Sequence, residues 1–428
     1  MTLLELARLQ RHTGIQPPEG FERVLPAQEP REDDPFLSAA FLEEAARRVD
    51  LPGEKLDKLK AALAAICLDR DLWRLSIALR DDAHQAVIFQ RACEFTRPEP
   101  ACLTGFPRQA YALLFALACL EQGLQALLRR GIPMAEHEAV CRRMADKQLR
   151  LYRDSGSLTI ADYPWDMNFY ACGIFFHDRL YFVPYRWEGP VLYRHVTSGR
   201  VLMLWPAGDR VRRDGQLDGV NGITDPKAFE TALIEDGDSL TGCPVNPAGL
   251  IREQQVRLLK KEWQPALQPG QMTLAAHIPG GEGYTPQRWK ASMEQAKAFF
   301  DRYFPELHTR GFWSESWLYD PGLYRLLPED GRIMSVQQQF YNFPTREGDS
   351  MIKLEVFGDS KPDFSALEMK TSLQTKLRDS LLAGARYHTT GMAVLNEDLP
   401  RFGSRPYQTE QDIREAQENM GVMLWNTP

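Results

Sequence analysis

A chain of 428 residues is too long for one ordinary hydrophobic core, so two domains are expected, and 43% hydrophobic with 25% charged residues excludes a disordered or fibrous chain. Lys and Arg number 51 against 58 Asp and Glu, and the formal net charge of -7 argues against general nucleic-acid binding. The seven cysteines are odd in number, scattered and without a CxxC pair, as expected of reduced cytoplasmic thiols.

The first residues, MTLLELARLQRHTG, mix acidic and basic side chains among leucines and predict an amphipathic helix rather than a signal peptide. No run is expected to reach the ~20 apolar residues of a membrane span. A Pro-rich linker follows, and then helical spacing of apolar residues over 36–49, 54–68 and 71–95. The strongly apolar 109–130 stretch stops at Gly131 and Pro133, and another helix is expected over 134–152. Domain boundaries are therefore set at 1–155, all-helical, and 156–428.

From about residue 156 the period changes. NFYACGIFF, DRLYFVPY, GPVLYRHV and RVLMLWP predict strands, as do 229–234, 333–343, 351–357 and 391–395, while 253–263 suits a short helix. Thr371 and Gln374 have capping-box spacing at the head of a helix closed by Gly384, and a polar helix is expected over 410–420. The second domain should be α/β or α+β.

The chain is organised around 272–343. An apolar strand, 272–278, runs into the glycine-rich PGGEGYT loop; Thr285 can then cap a helix that starts at Pro286 and places Trp289, Met293, Ala296, Phe299, Phe300 and Tyr303 on one face. Strand, glycine loop and helix start aim backbone N–H groups and a positive dipole end at one point, which suits a phosphate or pyrophosphate. The same pattern also describes a tight strand-to-helix turn that binds nothing. GxxxxGK, a full GxGxxG, GxSxG and HExxH are absent, and the eight histidines lack zinc-site spacing, so no metal is expected.

RRGIP at 129–133, YPWDMNFYACGIFFHDRLYFVPY, TGCPVNPAG, HIPGGEGYTPQRWKASMEQAKAFFDRYFPE, WSESWLYDPGLYRLLPEDGRI and TSLQTKLRDSLLAG together resemble bacterial acyltransferase-like proteins. That family has a helical N-acyltransferase N-terminal domain and a GNAT-like C-terminal domain. The resemblance implies an α+β fold whose second domain is GNAT-like, with a mixed, mostly antiparallel sheet. It also implies an acyl-CoA-dependent N-acyltransferase that uses acyl-CoA as co-substrate, with an amine of a small molecule or peptide as acceptor, and no nucleic-acid or membrane partner. The alternative is a non-catalytic GNAT-like binding or interaction module.

By the same resemblance, the strand and loop that hold the pantetheine arm and pyrophosphate fall on Leu274, Ala276, Ile278, Gly280, Gly281, Gly283 and Tyr284, with Arg288 beside them. The strand 311–317 would splay away to open the cleft, and a helix over 320–327 would flank the thiol. Tyr324 becomes the candidate acid for the leaving thiolate, Glu315 the candidate base, and His277 a group that positions substrate or water. Each also has a plain structural reading, as helix cover, strand surface and internal hydrogen-bonder. Trp313, Trp317 and Tyr319 either line an acceptor pocket or fill the core, and RVRRDG at 210–215 meets the CoA 3′-phosphate or an acidic partner, or is a solvated loop. Two residues depart from the usual GNAT loop: Ile278 stands where Gln or Arg is expected, and Glu282 adds a negative charge that Arg288 could meet.

Overall fold

A computed structural model describes residues 1–27, 30–31, 34–90 and 95–419; Cys93 and Met420 lie outside them, and the helix expected over 71–95 ends at Ile88. The chain divides into two compact units. One comprises Met1–Phe176, Tyr181–Tyr185 and Arg302–Leu307; the other comprises His177–Leu180, Arg186–Asp301 and the chain from His308 onward.

The first unit is built from helices whose starts are written in the sequence. Thr2 and Glu5 form a capping box on Leu3–Thr13, and Gly14 closes that helix. Ser38 caps Ala39–Arg48 and Asp69 caps Arg70–Ile88. The helix Gly105–Arg129 is, contrary to expectation, long and apolar enough to span a bilayer by length and composition. Most of its apolar window is buried inside the unit, where it packs on Gly53–Leu68, Arg70–Ile88, Met134–Ser155 and Tyr163–Tyr170, so it is the core helix of the bundle. The strand expected in NFYACGIFF is another difference. Tyr163–Tyr170 is a helix, because Asp162 accepts from the Trp165 N–H and Pro164 occupies the first turn; extended structure begins only at Phe175.

In the second unit, Leu250–Ile251, Pro244–Asn246, Val201–Leu204, Val191–His195 and Trp263–Leu267 form an antiparallel sheet in that order. Four further strands pair in the order Met272–His277, Gly311–Ser316, Thr390–Leu395, Tyr341–Pro344. The first two are parallel and the others antiparallel, giving the mixed sheet of an α+β domain. One face of these strands, carrying Trp313, Tyr341, Phe343, Ala393 and Leu395, shares a core with Trp187, Leu192, Met203, Val245 and Leu267.

Elements of this unit also differ from the expected ones, beginning with the strand expected over 229–234, which is two, Phe229–Glu230 and Leu233–Asp236. Within 253–263 the chain forms the strand Val256–Leu259, paired with Ser239–Gly242, so its apolar residues answer to a partner strand. The run expected as one strand over 333–343 is a helix, Arg332–Gln337, followed by the strand Tyr341–Pro344. Ser350–Phe357 is a helix closed by Gly358 at φ +82°, a left-handed cap that ends the run in a way no strand does. The capping box at Thr371 is present in both directions: its hydroxyl accepts from the Gln374 N–H at 3.1 Å, and Gln374 Oε1 accepts from the Thr371 N–H at 3.1 Å. Thr371→Ala is therefore expected to cost about 1 kcal/mol in urea unfolding.

Candidate functional site

The strand Met272–His277 and its parallel neighbour Gly311–Ser316 pair at Leu274–Phe312 and Ala275–Trp313. Gly311–Ser316 then goes on pairing with Thr390–Leu395 up to Ser316. The ladder to Met272–His277 thus ends at Ala275, before the last residues of either strand.

The loop 278–285 follows directly on the carboxyl end of Met272–His277. Gly281 has φ +116° and Gly283 φ +87°, conformations that L side chains rarely adopt, and a Cβ added at Gly280 or Gly281 would meet nothing within 4 Å. The loop is exposed over Gly280, Gly281 and Glu282. It feeds Pro286–Tyr303, where the Thr285 hydroxyl accepts from the Arg288 N–H at 3.3 Å, as the sequence predicts.

Arg179, which the sequence reading passed over, fastens this loop. Its Nε donates to the Glu282 carbonyl at 2.8 Å and its Nη2 to the Gly281 carbonyl at 3.2 Å, while its backbone N–H donates to Ser292 Oγ at 3.1 Å. The residue is buried, and burial, with Arg288 alongside, lowers its pKa from the usual arginine range. Arg288 does not meet Glu282; it pairs with Asp178 at 2.6 Å. Both guanidiniums flank Gly283.

Beneath the loop, Tyr284, Trp289, Phe340 and Tyr319 contact one another edge to face. The buried hydroxyls of Tyr284 and Tyr319 lie close enough to each other, and to Ser314 for Tyr319, to bias their titration, yet neither makes a hydrogen bond of good geometry. Burial raises both well above the ordinary phenol range, so both stay protonated at neutral pH.

The sequence-selected residues separate by face. Leu274 and Ala276 are buried in their strand and Ile278 is half-buried. In a parallel pair, residues in register share a face, so Ala276 falls with Ser314, whereas His277 falls with Glu315 on the opposite face. Burial lowers the His277 pKa to about 4, leaving a neutral imidazole. The Glu315 carboxyl is pushed upward, by desolvation first and by Glu347 second; the residue is exposed, so water screens both effects.

Tyr324 stands apart. The expected helix around it is two short 3-10 turns, Trp317–Tyr319 and Pro321–Arg325, because Pro321 and the Asp320 cap break the run. Its hydroxyl donates to Gln408 Oε1 at 3.2 Å inside a core shared with Trp317, Met334 and Leu377. Trp317 Nε1 donates to Glu355 at 3.2 Å. The arginines of RVRRDG are all engaged: Arg210 with Asp218 at 3.2 Å, Arg212 with Asp214 at 3.1 Å, and Arg213 with Asp225 at 2.9 Å.

The mixed sheet has a central parallel pair, and a glycine loop and helix start follow the first of its two strands. Residues 213–393 match the family model described as the GNAT-like C-terminal domain, and that part of the chain is such a domain. The chain is also similar to two solved structures. One, an acyltransferase mutant in complex with octanoyl-CoA, is 19% identical over 91% of this chain and 94% of its own, with a TM-score of 0.49. The other, an acyltransferase in complex with decanoyl-CoA and teicoplanin, is 19% identical over the same shares, with a TM-score of 0.48. No match was found among the curated proteins.

Proposed function

We propose that this protein is an acyl-CoA-dependent N-acyltransferase that moves the acyl group to an amine of a small molecule or peptide. The observation that carries this reading is the parallel pair that stops pairing after Ala275–Trp313, with an open, positive-φ glycine loop following its first strand. The glycines let pyrophosphate oxygens approach the loop without obstruction, and the helix start behind it favours their charge. Ile278 supplies no charge there, so Arg179 and Arg288, which flank Gly283, take that part.

In the transfer, the amine nitrogen attacks the thioester carbonyl carbon, the C–S bond breaks, and the sulfur leaves as thiolate. Glu315, with its raised pKa, takes the proton of the amine, directly or through water; His277, at about 4, is too weak a base and positions water or substrate. Tyr319, whose hydroxyl lies beside Ser314 and Tyr284, protonates the thiolate in preference to Tyr324, whose hydroxyl is spent on Gln408. An open pocket of about 650 Å³ beside the first turn of Pro286–Tyr303 has Asp330 on its wall, together with Glu329 and Arg405, which pair at 3.9 Å.

The second reading, a non-catalytic binding module, draws on Ile278 in the loop and on Arg288 being engaged by Asp178. Thermal unfolding with CoA and a series of acyl-CoAs separates the two. A ligand at about 100 times its Kd stabilises by ~2.7 kcal/mol, which is the expected shift, and Gly281→Leu should remove it because the φ of +116° and the open approach are both lost. No shift with any acyl-CoA would sink the enzyme reading, and a shift without transfer to any amine would leave the binding module.

A further inference from the structure

We propose that His12, Asp69 and Cys102 form a three-ligand site for a zinc-class divalent cation in the helical unit, independent of the acyl-transfer reading. Their ligand atoms lie within 4.8 Å of one another, although the residues come from three separate stretches of chain: the last turn of Leu3–Thr13, the cap of Arg70–Ile88, and the loop before Gly105–Arg129. His12 Nε2 is 2.8 Å from Asp69 Oδ2, and Asp69 uses its other oxygen to accept from the Leu72 N–H at 3.0 Å. One carboxylate oxygen is therefore fixed by the helix start while the other faces the cluster.

The three stretches are already fastened together beside each ligand, which is what a site needs if its ligands are to converge without a large entropy cost. Arg8 pairs with Asp71 through two bonds of 2.5 and 2.8 Å, tying the first helix to the turn that carries Asp69. The Ala101 N–H donates to the Thr13 carbonyl at 2.6 Å, so the residue before Cys102 is bonded to the residue after His12. A Cβ at Gly14 would come within 3.1 Å of Ala101 Cβ, so the two segments are also in close contact. His12 is exposed and the other two are half-buried, which leaves an entry path.

The donor set selects the metal. Imidazole nitrogen, carboxylate oxygen and thiolate sulfur suit zinc, and calcium or magnesium would require an oxygen shell that these residues do not offer. Three protein ligands leave the fourth tetrahedral position to water. On binding, the Cys102 thiol gives its proton to solvent and the His12–Asp69 hydrogen bond is replaced by two bonds to the metal. The bound ion would staple the end of Leu3–Thr13 to the start of Arg70–Ile88 and to the residues just before Gly105–Arg129. The sequence alone gives no sign of this site, because the ligands have no motif spacing and meet only in the fold.

The test is titration of the full chain with Co²⁺ followed by Zn²⁺. The expected result is a thiolate-to-cobalt absorption band with tetrahedral d–d bands, both bleached by Zn²⁺ and unaffected by Mg²⁺. Cys102→Ser should abolish the thiolate band, and His12→Gln should weaken Zn²⁺ binding by more than roughly 100-fold, the upper range for loss of even an outer-shell partner. Asp69→Asn keeps the helix cap, since Asn caps as well as Asp, and should also weaken binding. Should Cys102→Ser fail to fold, alkylation of Cys102 in the unmodified chain, followed by mass spectrometry, should slow when Zn²⁺ is present. A chain with native helical circular dichroism and no cobalt–thiolate band, a band that survives Cys102→Ser, or alkylation indifferent to Zn²⁺ would each overturn the site.

Discussion

Asp320→Ala is expected to lower the unfolding free energy by about 2–3 kcal/mol, the cost of leaving buried donors without their carboxylate acceptor. Asp320 is fully buried at the start of the Pro321–Arg325 turn, where Oδ1 accepts from the Gly322 N–H at 2.5 Å and Oδ2 accepts from the backbone N–H of His388. The His388 ring completes the contact, its Nδ1 lying 3.2 Å from Oδ2. Arg212 is buried behind it, with Nη2 at 3.2 Å from His388 Nε2 and with Asp214 as its own counter-ion. A guanidinium only donates, so Nε2 accepts and the ring proton is assigned to Nδ1, which donates to Asp320. Alanine would leave two backbone N–H groups and this ring proton without their acceptor in a site closed to water, while Arg212 stays buried with one carboxylate fewer nearby. Urea unfolding of the full chain, followed by tryptophan fluorescence, reads the effect. A loss below about 1 kcal/mol would mean that water reaches the site and that the network does not hold the turn.

That network marks where sequence reading ran out. Arg212, Asp320 and His388 come from three distant segments, and the sequence offers only a basic run, a turn and a lone histidine. Elements set by local chemistry were legible: the Thr285 cap with Pro286, the Thr371–Gln374 box and the glycine loop are where their residues place them. Segments whose apolar residues fit either period were not. The run over 351–357 has the apolar composition of a strand, and its Gly358 cap was the available sign of a helix. Conversely, 253–263 became a strand because Ser239–Gly242 supplies a partner that no local pattern announces. At the candidate site the loop was legible from its glycines. Arg179 was not, since its part depends on two carbonyls about 100 residues away, a placement made by the fold alone.

The same distinction decides between the two tyrosines. Both follow Gly311–Ser316 in sequence, and Tyr324 was the sequence choice; their surroundings differ. If acyl transfer occurs in this cleft, Tyr319→Phe is expected to lower kcat by roughly 10²–10⁴-fold with little change in KM, because the phenolic proton acts only as the thiolate forms. Tyr324→Phe should leave kcat nearly unchanged and cost about 1 kcal/mol of stability through the lost bond to Gln408. The assay is release of the CoA thiol in the presence of an amine that supports turnover, across a pH series. Glu315 adds a sign to that series: its carboxyl is raised from the ordinary range, and a base works only when deprotonated, so the rate should fall as pH drops through that raised value. The acid limb should disappear in Glu315→Gln along with most of the rate. His277, neutral down to about 4, adds no limb near neutrality. Equal losses in Tyr319→Phe and Tyr324→Phe would point to a common structural effect and remove Tyr319 from the chemistry.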